Sequence, residues 1–345
     1  MIKDLLKEGI QRYLPRKYYA PIRRVQYGLP AFAAATVRGK IWRRYRCDPV
    51  PSGNDSPRLV VARGDLASGR RTDAIPRRIW IYWEQQSRPE LIAALHERIV
   101  RMHPDHEVHF LDGSNASDYV PEYSSWNSRL APQHKADLLR LYLVYRFGGI
   151  WMDSSILLGR TLDWLHEWAS TNNLDFVGFR NEELESGANP IVENWFFAAS
   201  KGHPFVERWI KHLAPLADKT PDEVYDLLIQ SPSARVAAKT VPNPRWRLAY
   251  LANQVCFDEE IAFRMGLLRT RDEAFSVAEL YSRNTWDLAM NWMVRPAPIK
   301  RPLLLKMTQR DRSVVDAFEN AGLTHPESLI GEVFADYRSA EDSRV

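Results

Sequence analysis

Cysteine is scarce in this 345-residue sequence. The chain contains only two, Cys47 and Cys256. Two widely separated cysteines cannot form the disulfide framework of a small secreted protein, and neither has a cysteine or histidine neighbour at zinc-ligand spacing. The sequence therefore predicts a protein of a reducing compartment in which neither cysteine is catalytic.

Long apolar runs are also absent. No segment approaches the roughly 20 apolar residues that a membrane-spanning helix needs, and the longest candidate, residues 28–37, is short and rich in alanine. Asp4 and Glu8 interrupt the region where the apolar core of a signal peptide would begin. We therefore expect neither a transmembrane helix nor a secretion signal.

Two nucleotide-binding signatures are missing as well. The sequence contains neither the Gly-X-Gly-X-X-Gly fingerprint of dinucleotide-binding folds nor the Gly-Lys-Ser/Thr of a P-loop. Their absence argues against a nicotinamide-dependent dehydrogenase and against a P-loop kinase.

Positive charge is concentrated near the N-terminus. The formal net charge is +4, but residues 1–46 contain twelve Lys and Arg against two acidic residues, whereas the other residues contain 35 basic and 41 acidic. Residues 2–14 place apolar side chains on one helical face with basic ones around it, which is typical of an interfacial helix or of a helix packed on protein. The arm predicts contact with an anionic surface, either a membrane leaflet or a nucleic acid.

Composition divides the chain into four parts. They are a basic, helical, amphipathic N-terminal extension (1–48), a linker or surface loop rich in Pro, Ser and Gly (49–74), a folded body (75–330) and a C-terminal tail (331–345). The body begins with a strand, a helix and a strand, predicted over residues 79–83, 89–103 and 107–111. This alternation predicts an α/β fold with a doubly wound, Rossmann-type half built on parallel strands.

Residues 134–147 have the pattern of a helix. Apolar residues recur at three- and four-residue steps, and Asp137 and Arg140 stand three positions apart near the N-terminal end. This spacing predicts that both polar side chains face the same solvent cleft.

A glycine pair and a short apolar run follow that helix. Gly148 and Gly149 are expected to end it, because glycine adopts the left-handed backbone of a helix C-cap without steric cost. Residues 150–152 then form a predicted buried strand, and Asp153 and Ser155 lie beyond its far end, where open α/β sheets bind their ligands. A carboxylate there can hold a sugar hydroxyl, a ribose hydroxyl or a divalent cation.

Taken together, this pattern resembles the sugar-nucleotide site of GT-A glycosyltransferases. It is similar to a DXD-containing family that includes the yeast-type initiating mannosyltransferases, the capsular polysaccharide synthesis proteins and, more distantly, the glucosylating clostridial toxins. The resemblance covers residues 75–310 in outline and is specific between Asp137 and Asp153. One position departs from the family pattern, because the second aspartate of the DXD motif is Ser155 here.

The resemblance implies roles for eight residues. The implied donor-binding residues are Trp83, Asp137, Arg140, Asp153, Ser155 and Lys306. Trp83 would stack on the nucleotide base, or would otherwise be an ordinary core residue, and Lys306 would contact the diphosphate, or would otherwise be a surface charge. The implied catalytic residues are Asp153, Glu193 and Asn194, the last two in the acceptor part of the site, with Glu193 as the first candidate for a general base.

The charge of the departing diphosphate can be neutralised in two ways. Asp153 and Ser155 are the implied ligands of Mg²⁺ or Mn²⁺, with water and phosphate oxygens completing the shell. Alternatively, the cationic side chains of Lys306 or Arg140 replace much of the metal charge. The sequence leaves both routes open.

The resemblance thus implies a retaining, hexosyltransferase-type enzyme that uses a UDP- or GDP-sugar. The acceptor would be a growing capsular or other surface polysaccharide or a lipid-linked glycan, and the basic arm would hold the enzyme on the cytoplasmic face of the plasma membrane. Two alternatives are a nucleic-acid-binding protein that uses the arm and an inactive sugar-nucleotide-binding protein. A nucleic-acid partner is not expected, because the body is net acidic and its aromatics are not interleaved with Lys and Arg.

Overall fold

The computed structural model describes residues 58–64, 73–126, 130–276 and 285–342. The strands in these ranges are β1 Leu59–Arg63, β2 Arg78–Tyr82, β3 Glu107–Leu111, β4 Gly149–Met152, β5 Ile156–Leu158, β6 Phe176–Arg180, β7 Val192–Ala199, β8 Phe263–Arg269 and β9 Leu304–Lys306. The α-helices are α1 Glu90–Met102, α2 Ala116–Tyr119, α3 Pro132–Phe147, α4 Asp163–Asn172, α5 Pro204–Leu213, α6 Pro221–Leu228, α7 Pro232–Ala237, α8 Leu248–Cys256, α9 Thr285–Met293, α10 Gln309–Asn320 and α11 Leu329–Asp342. No helix within these ranges is both long and apolar enough to cross a membrane.

Seven of the strands form one mixed sheet. Their order is β1-β8-β6-β7-β4-β2-β3, and β5 pairs separately with β9. Strands β2, β3 and β4 are mutually parallel, as are β6 and β8, whereas β7 runs antiparallel to both of its neighbours and β1 antiparallel to β8. The predicted α/β class and its parallel half are therefore confirmed, and the rest of the sheet is mixed.

The parallel half follows from the helices that connect its strands. Helix α1 joins β2 to β3, and α3 lies between β3 and β4 in the chain. Parallel neighbours need such crossover connections, and the crossovers bring the carboxyl ends of the strands to one edge of the sheet. The residues that follow β2 and β4 consequently lie at the same edge.

The glycine pair ends helix α3 as predicted. Gly148 has a φ of 68° and Gly149 a φ of 104°. A Cβ atom on Gly149 would lie 2.6 Å from the carbonyl oxygen of Arg78, so the tight passage from α3 into β4 requires glycine for space as well as for conformation.

Alternate residues of the strands enter apolar clusters on opposite faces of the sheet. On β4, Trp151 joins one cluster, and Ile150 and Met152 join the other. Helices α3, α5 and α8 cover the first face, and α4 covers the second. Each fully buried large side chain contributes about 1.5–3 kcal/mol relative to an exposed one, so this two-sided burial fixes the register of β4.

Two predicted boundaries are wrong. The segment predicted as a linker, residues 49–74, contains strand β1, which pairs with β8 at the sheet edge. Residues 331–342 of the predicted C-terminal tail belong to helix α11, whose Val333 and Phe334 are buried in an apolar cluster with α1, α9 and α10. Composition gives a weak signal for both elements. Strand β1 is a short β-branched run between Pro- and Gly-rich flanks, and α11 is buried by partners that are distant in the sequence. The basic extension, residues 1–48, lies outside the described residues.

Candidate active site

The predicted site residues meet at the carboxyl edge of the parallel strands. Trp83 follows β2 and Asp153 follows β4. Strand β7 runs antiparallel to β4, with Met152 opposite Phe196, so Glu193 and Asn194 near the start of β7 lie beyond the end of β4. The sheet topology therefore brings together residues that are far apart in the sequence.

Asp137 and Arg140 lie side by side on α3. The Arg140 Nη2 atom is 3.3 Å from Asp137 Oδ1 and 3.6 Å from Asp153 Oδ1, so one guanidinium group connects the helix to the end of β4. Arg140 Nη1 also donates to the carbonyl oxygen of Asn194 at 2.7 Å. The two acidic side chains thus converge on Arg140.

The expectation that Asp137 and Arg140 face an open cleft is wrong. Asp137 is 2% exposed and Arg140 is 4% exposed. The side-chain amide of Asn194 donates to Asp137 Oδ1 at 2.8 Å. Burial raises the pKa of Asp137, although the positive charge of Arg140 opposes this shift. This pair forms the floor of the site.

Asp153 lies at the accessible side of the same cluster. Its side chain is 26% exposed. Lys306 Nζ is 2.6 Å from Oδ2, and the indole nitrogen of Trp151 donates to Oδ1 at 3.1 Å. Burial raises the pKa of Asp153, but the charges of Lys306 and Arg140 outweigh burial and lower the pKa overall. Asp153 is therefore a carboxylate at neutral pH.

Lys306 comes to Asp153 from the last strand of the small sheet. It lies opposite Ile156 in the β5–β9 pair, and its Nζ also donates to Ser155 Oγ at 3.1 Å. Ser155 Oγ in turn donates to the carbonyl oxygen of Met307 at 3.0 Å. Burial lowers the pKa of Lys306, with Asp153 opposing. Lys306 thus belongs to the charged cluster around Asp153 and is largely buried.

Trp83 occupies the rim of the site and is partly exposed. The guanidinium carbon of Arg312 lies 5.6 Å from the centre of the Trp83 ring, and its charge also acts on Asp153 and Lys306. The indole nitrogen of Trp83 is buried and has no hydrogen-bond partner among the residues that the structure describes. A polar ligand at this rim can supply one.

Glu193 lies in a buried hydrogen-bond network. Its carboxylate accepts hydrogen bonds from the Tyr250 hydroxyl and, at 2.8 Å, from Asn181 Nδ2. Burial raises the pKa of Glu193, opposed by those two bonds and by the charge of Arg247. Because both carboxylate oxygens are already occupied, this geometry suits a residue that supports the start of β7 better than one that removes a proton from an acceptor.

Sequence reasoning missed Trp151, Tyr250 and Arg312. Trp151 is detectable from strand periodicity, because residues two apart in a strand share a face and the indole points toward Asp153. Arg312 lies in the first turn of α10. The capping box of Thr308 and Asp311 predicts that this helix begins directly after β9. Tyr250 carries no local signal, because only the packing of α8 against β7 brings it to Glu193.

A cavity lies beside the start of β7 but contains none of the predicted residues. It measures ≈ 180 Å³ and is lined by residues such as Ile191, Val236 and Gln254. The cavity is therefore separate from the charged cluster around Asp153.

One family model matches the part of the chain that contains most of the predicted site residues, and curated proteins match as well. The model of the capsular polysaccharide synthesis protein family matches residues 67–226. The O-glycosyltransferase braB of Annulohypoxylon truncatum is 30% identical over 161 residues, which cover 41% of this chain and 38% of that protein. Inositol phosphoceramide mannosyltransferase 3 of Schizosaccharomyces pombe is 28% identical over 149 residues, which cover 42% of this chain and 38% of that protein.

Over the matched parts, the chain is similar to the capsular polysaccharide synthesis protein family and to curated glycosyltransferases. The chain spans about 38% of the length of these two curated relatives. A galactosyltransferase structure, LgtC in complex with donor and acceptor sugar analogs, shares 11% identity with a TM-score of 0.36, covering 72% of this chain and 96% of that one. The region matched by the family model includes every predicted site residue except Lys306.

Proposed function

We propose that this protein is a glycosyltransferase that moves a sugar from a UDP- or GDP-sugar to a growing capsular or other surface polysaccharide or a lipid-linked glycan. The observation that carries the proposal is the connected cluster in which Arg140 bridges Asp137 and Asp153 while Lys306 pairs with Asp153. The match to capsular polysaccharide synthesis proteins supports the choice of acceptor class.

The cluster suits the chemical demands of sugar transfer. Breaking the bond to the anomeric carbon transfers negative charge to the diphosphate, so fixed cations near the leaving group lower the barrier. Lys306 and Arg140 hold such charges in a largely buried setting, where electrostatic interactions are stronger than in water. Asp153, partly exposed between them, is placed to orient a sugar or ribose hydroxyl.

Retention of configuration belongs to the same proposal. Among the residues that the structure describes, the buried carboxylates considered near Asp153 are Asp137, which is paired with Arg140, and Glu193, which is held by Tyr250 and Asn181. Both carboxylates are buried and already bound by these neighbouring side chains, so neither is placed to accept a proton from an acceptor hydroxyl. We infer a mechanism in which the departing diphosphate itself accepts the proton of the acceptor hydroxyl, and Asp153 and Asn194 position the reactants.

The proposal includes a location at the cytoplasmic face of the plasma membrane. Its support is the excess of basic residues in the N-terminal 46 positions over a body that is net acidic. The acceptors named above are built at membranes, so an enzyme held at the lipid surface meets them in two dimensions.

The test is donor turnover by the purified full-length chain. Incubation with a panel of UDP- and GDP-sugars should release nucleoside diphosphate from one donor, slowly with water and faster with a suitable glycan acceptor. Asp153→Asn should reduce this release by about 100-fold or more, because it removes the charge that holds Lys306 and Arg140 in place. Asp218→Asn, at an exposed position on the same chain, is the matched control and should retain full activity.

Two results would contradict the proposal. Equal turnover by the wild type and Asp153→Asn would place the chemistry elsewhere. Tight nucleotide binding without turnover of any donor, whatever the acceptor, would indicate the inactive sugar-nucleotide-binding alternative.

A further inference from the structure

The two implied metal ligands already hold a cation in this structure. Lys306 Nζ lies 2.6 Å from Asp153 Oδ2 and 3.1 Å from Ser155 Oγ, so the ammonium group sits between the two side chains that would bind a divalent ion. Mg²⁺ and Mn²⁺ bind oxygen ligands, and Mg²⁺ requires about 2.0–2.1 Å in near-octahedral geometry. A metal here would have to displace the lysine from both oxygens.

The remaining donor atoms also fit a metal poorly. Asp153 Oδ1 accepts the indole hydrogen bond of Trp151 at 3.1 Å and lies 3.6 Å from Arg140 Nη2. Ser155 Oγ directs its own hydrogen to the carbonyl oxygen of Met307. Within the described ranges, no group of three or more His, Cys, Asp or Glu side chains is arranged to hold a metal ion.

The local charge also disfavours a divalent ion. Lys306 Nζ lies 2.6 Å from Asp153 Oδ2 and Arg140 Nη2 lies 3.6 Å from Asp153 Oδ1, and the charge of Arg312 also acts on Asp153. A divalent ion would therefore bring two more positive charges to a single carboxylate that already faces three cations. An anion entering the same space would instead be attracted.

Arg312 is a third cation near Asp153 and Lys306. Arg140 is paired with Asp137, and Lys306 with Asp153. Among the described residues Arg312 forms no ion pair within 4 Å, although nearby carboxylates such as Asp153 act on its charge. It lies 5.6 Å from the centre of the Trp83 ring, which is the candidate surface for base stacking, and its charge also acts on Lys306. In a nucleotide-sugar, the diphosphate lies between the nucleoside and the sugar.

We propose that Lys306, seated between Asp153 and Ser155, is the resident cation of the donor site, and that Lys306 and Arg312 together receive the diphosphate without a divalent metal ion. This inference rests on the proposed glycosyltransferase function. This arrangement explains why a serine, and not an aspartate, stands at position 155. An aspartate at that position would add a second negative charge and create a metal site, whereas a serine hydroxyl accepts the lysine hydrogen bond and leaves its positive charge for the ligand.

The experiment measures nucleotide affinity by titration calorimetry, with EDTA and with added MnCl₂. UDP, GDP and their nucleosides serve as probes, with the full-length protein throughout. The wild type should bind the matching nucleoside diphosphate equally well under both conditions. Lys306→Ala and Arg312→Ala should each weaken diphosphate binding about 10- to 100-fold in EDTA and leave nucleoside binding unchanged, since each removes a charged hydrogen-bond donor to phosphate.

Matched controls separate this role from a structural one. Arg310→Ala, at an exposed position of the same helix, and Lys239→Ala, another exposed cation, should leave the affinity unchanged. Loss of nucleoside binding together with diphosphate binding would indicate that Lys306 only supports the fold. Arg312, which is less buried, then provides the independent measurement.

A gain-of-function variant tests the same idea in the opposite direction. Replacing Ser155 by Asp and Lys306 by Ala together restores two carboxylates and vacates the cation position, so diphosphate binding should return only with Mn²⁺. Wild-type binding that disappears in EDTA and is restored by Mn²⁺ would overturn the inference while leaving the proposed function intact. Failure of every nucleotide to bind, with or without metal, would reject the proposed function and this inference with it.

Discussion

At the scale of single residues, burial decides which acidic groups remain charged. Asp153 is partly exposed and flanked by cations, which lower its pKa, whereas Glu193 is buried among neutral hydrogen-bond donors, and its pKa is raised. Two carboxyl groups near the same sheet edge therefore have opposite pH behaviour. This difference supports the proposals that Asp153 contacts the ligand and that Glu193 supports the start of strand β7.

The raised pKa of Glu193 predicts how its contribution to stability depends on pH. The folded state binds this proton more tightly than the unfolded state, whose carboxyl has an ordinary pKa of about 4.3. The contribution of Glu193 to the free energy of unfolding is therefore complete below that value and falls as the pH rises toward the folded-state pKa. Urea unfolding of the wild type and of Glu193→Gln between pH 4 and 7 measures this contribution.

The substitution should cost about 1 kcal/mol at the acid end of that range, because the amide nitrogen cannot accept a hydrogen bond, whereas the hydroxyl oxygen of the protonated acid can. The difference between the two proteins should then narrow toward neutrality. Glu260→Gln, at an exposed position, provides the control curve. A difference that widens with rising pH would show that the carboxylate, and not the acid, is the form that the fold stabilises.

Trp83 permits a second test at this scale. If its ring supports the nucleotide base, Trp83→Ala should weaken nucleoside diphosphate binding about 10- to 100-fold, the range for loss of one base–aromatic stack. Trp83→Phe should retain most of the affinity. Trp246→Ala, which removes an indole that is 45% exposed elsewhere on the surface, is the control. A lower melting temperature with unchanged affinity would instead identify Trp83 as a core residue.

At the scale of elements, the passage from α3 into β4 positions the site. Helix α3 carries Asp137 and Arg140, β4 leads to Asp153, and the glycine pair sets the direction between them. The sequence predicts this unit correctly, because helix periodicity, glycine conformation and a buried strand are all local properties. Asp137 and Asp153 lie on consecutive elements of the chain, so the sequence pattern of this short segment is enough to predict the elements that carry them.

Gly149 is the sensitive position of this passage. Gly149→Ala should lower the free energy of unfolding by about 3–5 kcal/mol, because the added methyl group meets the Arg78 carbonyl at 2.6 Å and the backbone has a φ of 104°. Gly202→Ala is the matched control: its φ is 69°, but no atom lies within 4 Å of the added carbon, so only about 1–2 kcal/mol should be lost. Guanidinium unfolding measures both. Equal losses would show that conformation alone, without crowding, requires glycine at Gly149.

At the scale of the whole molecule, charge is divided between the arm and the body. The N-terminal 46 residues hold twelve of the 47 basic side chains and two of the 43 acidic ones. Because attraction to an anionic surface falls off within a Debye length, such a concentrated cluster binds more strongly than the same charges dispersed over the body.

This asymmetry predicts binding to anionic vesicles. Changing Arg38, Arg43, Arg44 and Arg46 to Gln in the full-length chain should weaken binding to phosphatidylserine-containing vesicles about 100-fold or more, at about 1 kcal/mol for each basic residue near the surface. Donor turnover in solution should not change. Flotation at two salt concentrations measures the effect, and a parallel DNA and RNA shift assay should show no comparable binding. Retention by nucleic acid but not by vesicles would favour the nucleic-acid alternative.

The sequence alone determined the helix, its glycine stop, the strand that follows, and the residues Asp137, Arg140 and Asp153, because each depends on neighbours within one turn or one strand. It also determined that Ser155 departs from a two-carboxylate motif. Only the tertiary structure decided which cations lie beside Asp153 and Ser155. Lys306, 153 residues from Asp153, reaches it through the pairing of β9 with β5, and the packing of α10 brings Arg312 to Trp83. Long-range strand pairing and side-chain packing leave no periodic trace in the chain, so the charge balance of the site emerges only when the elements are assembled.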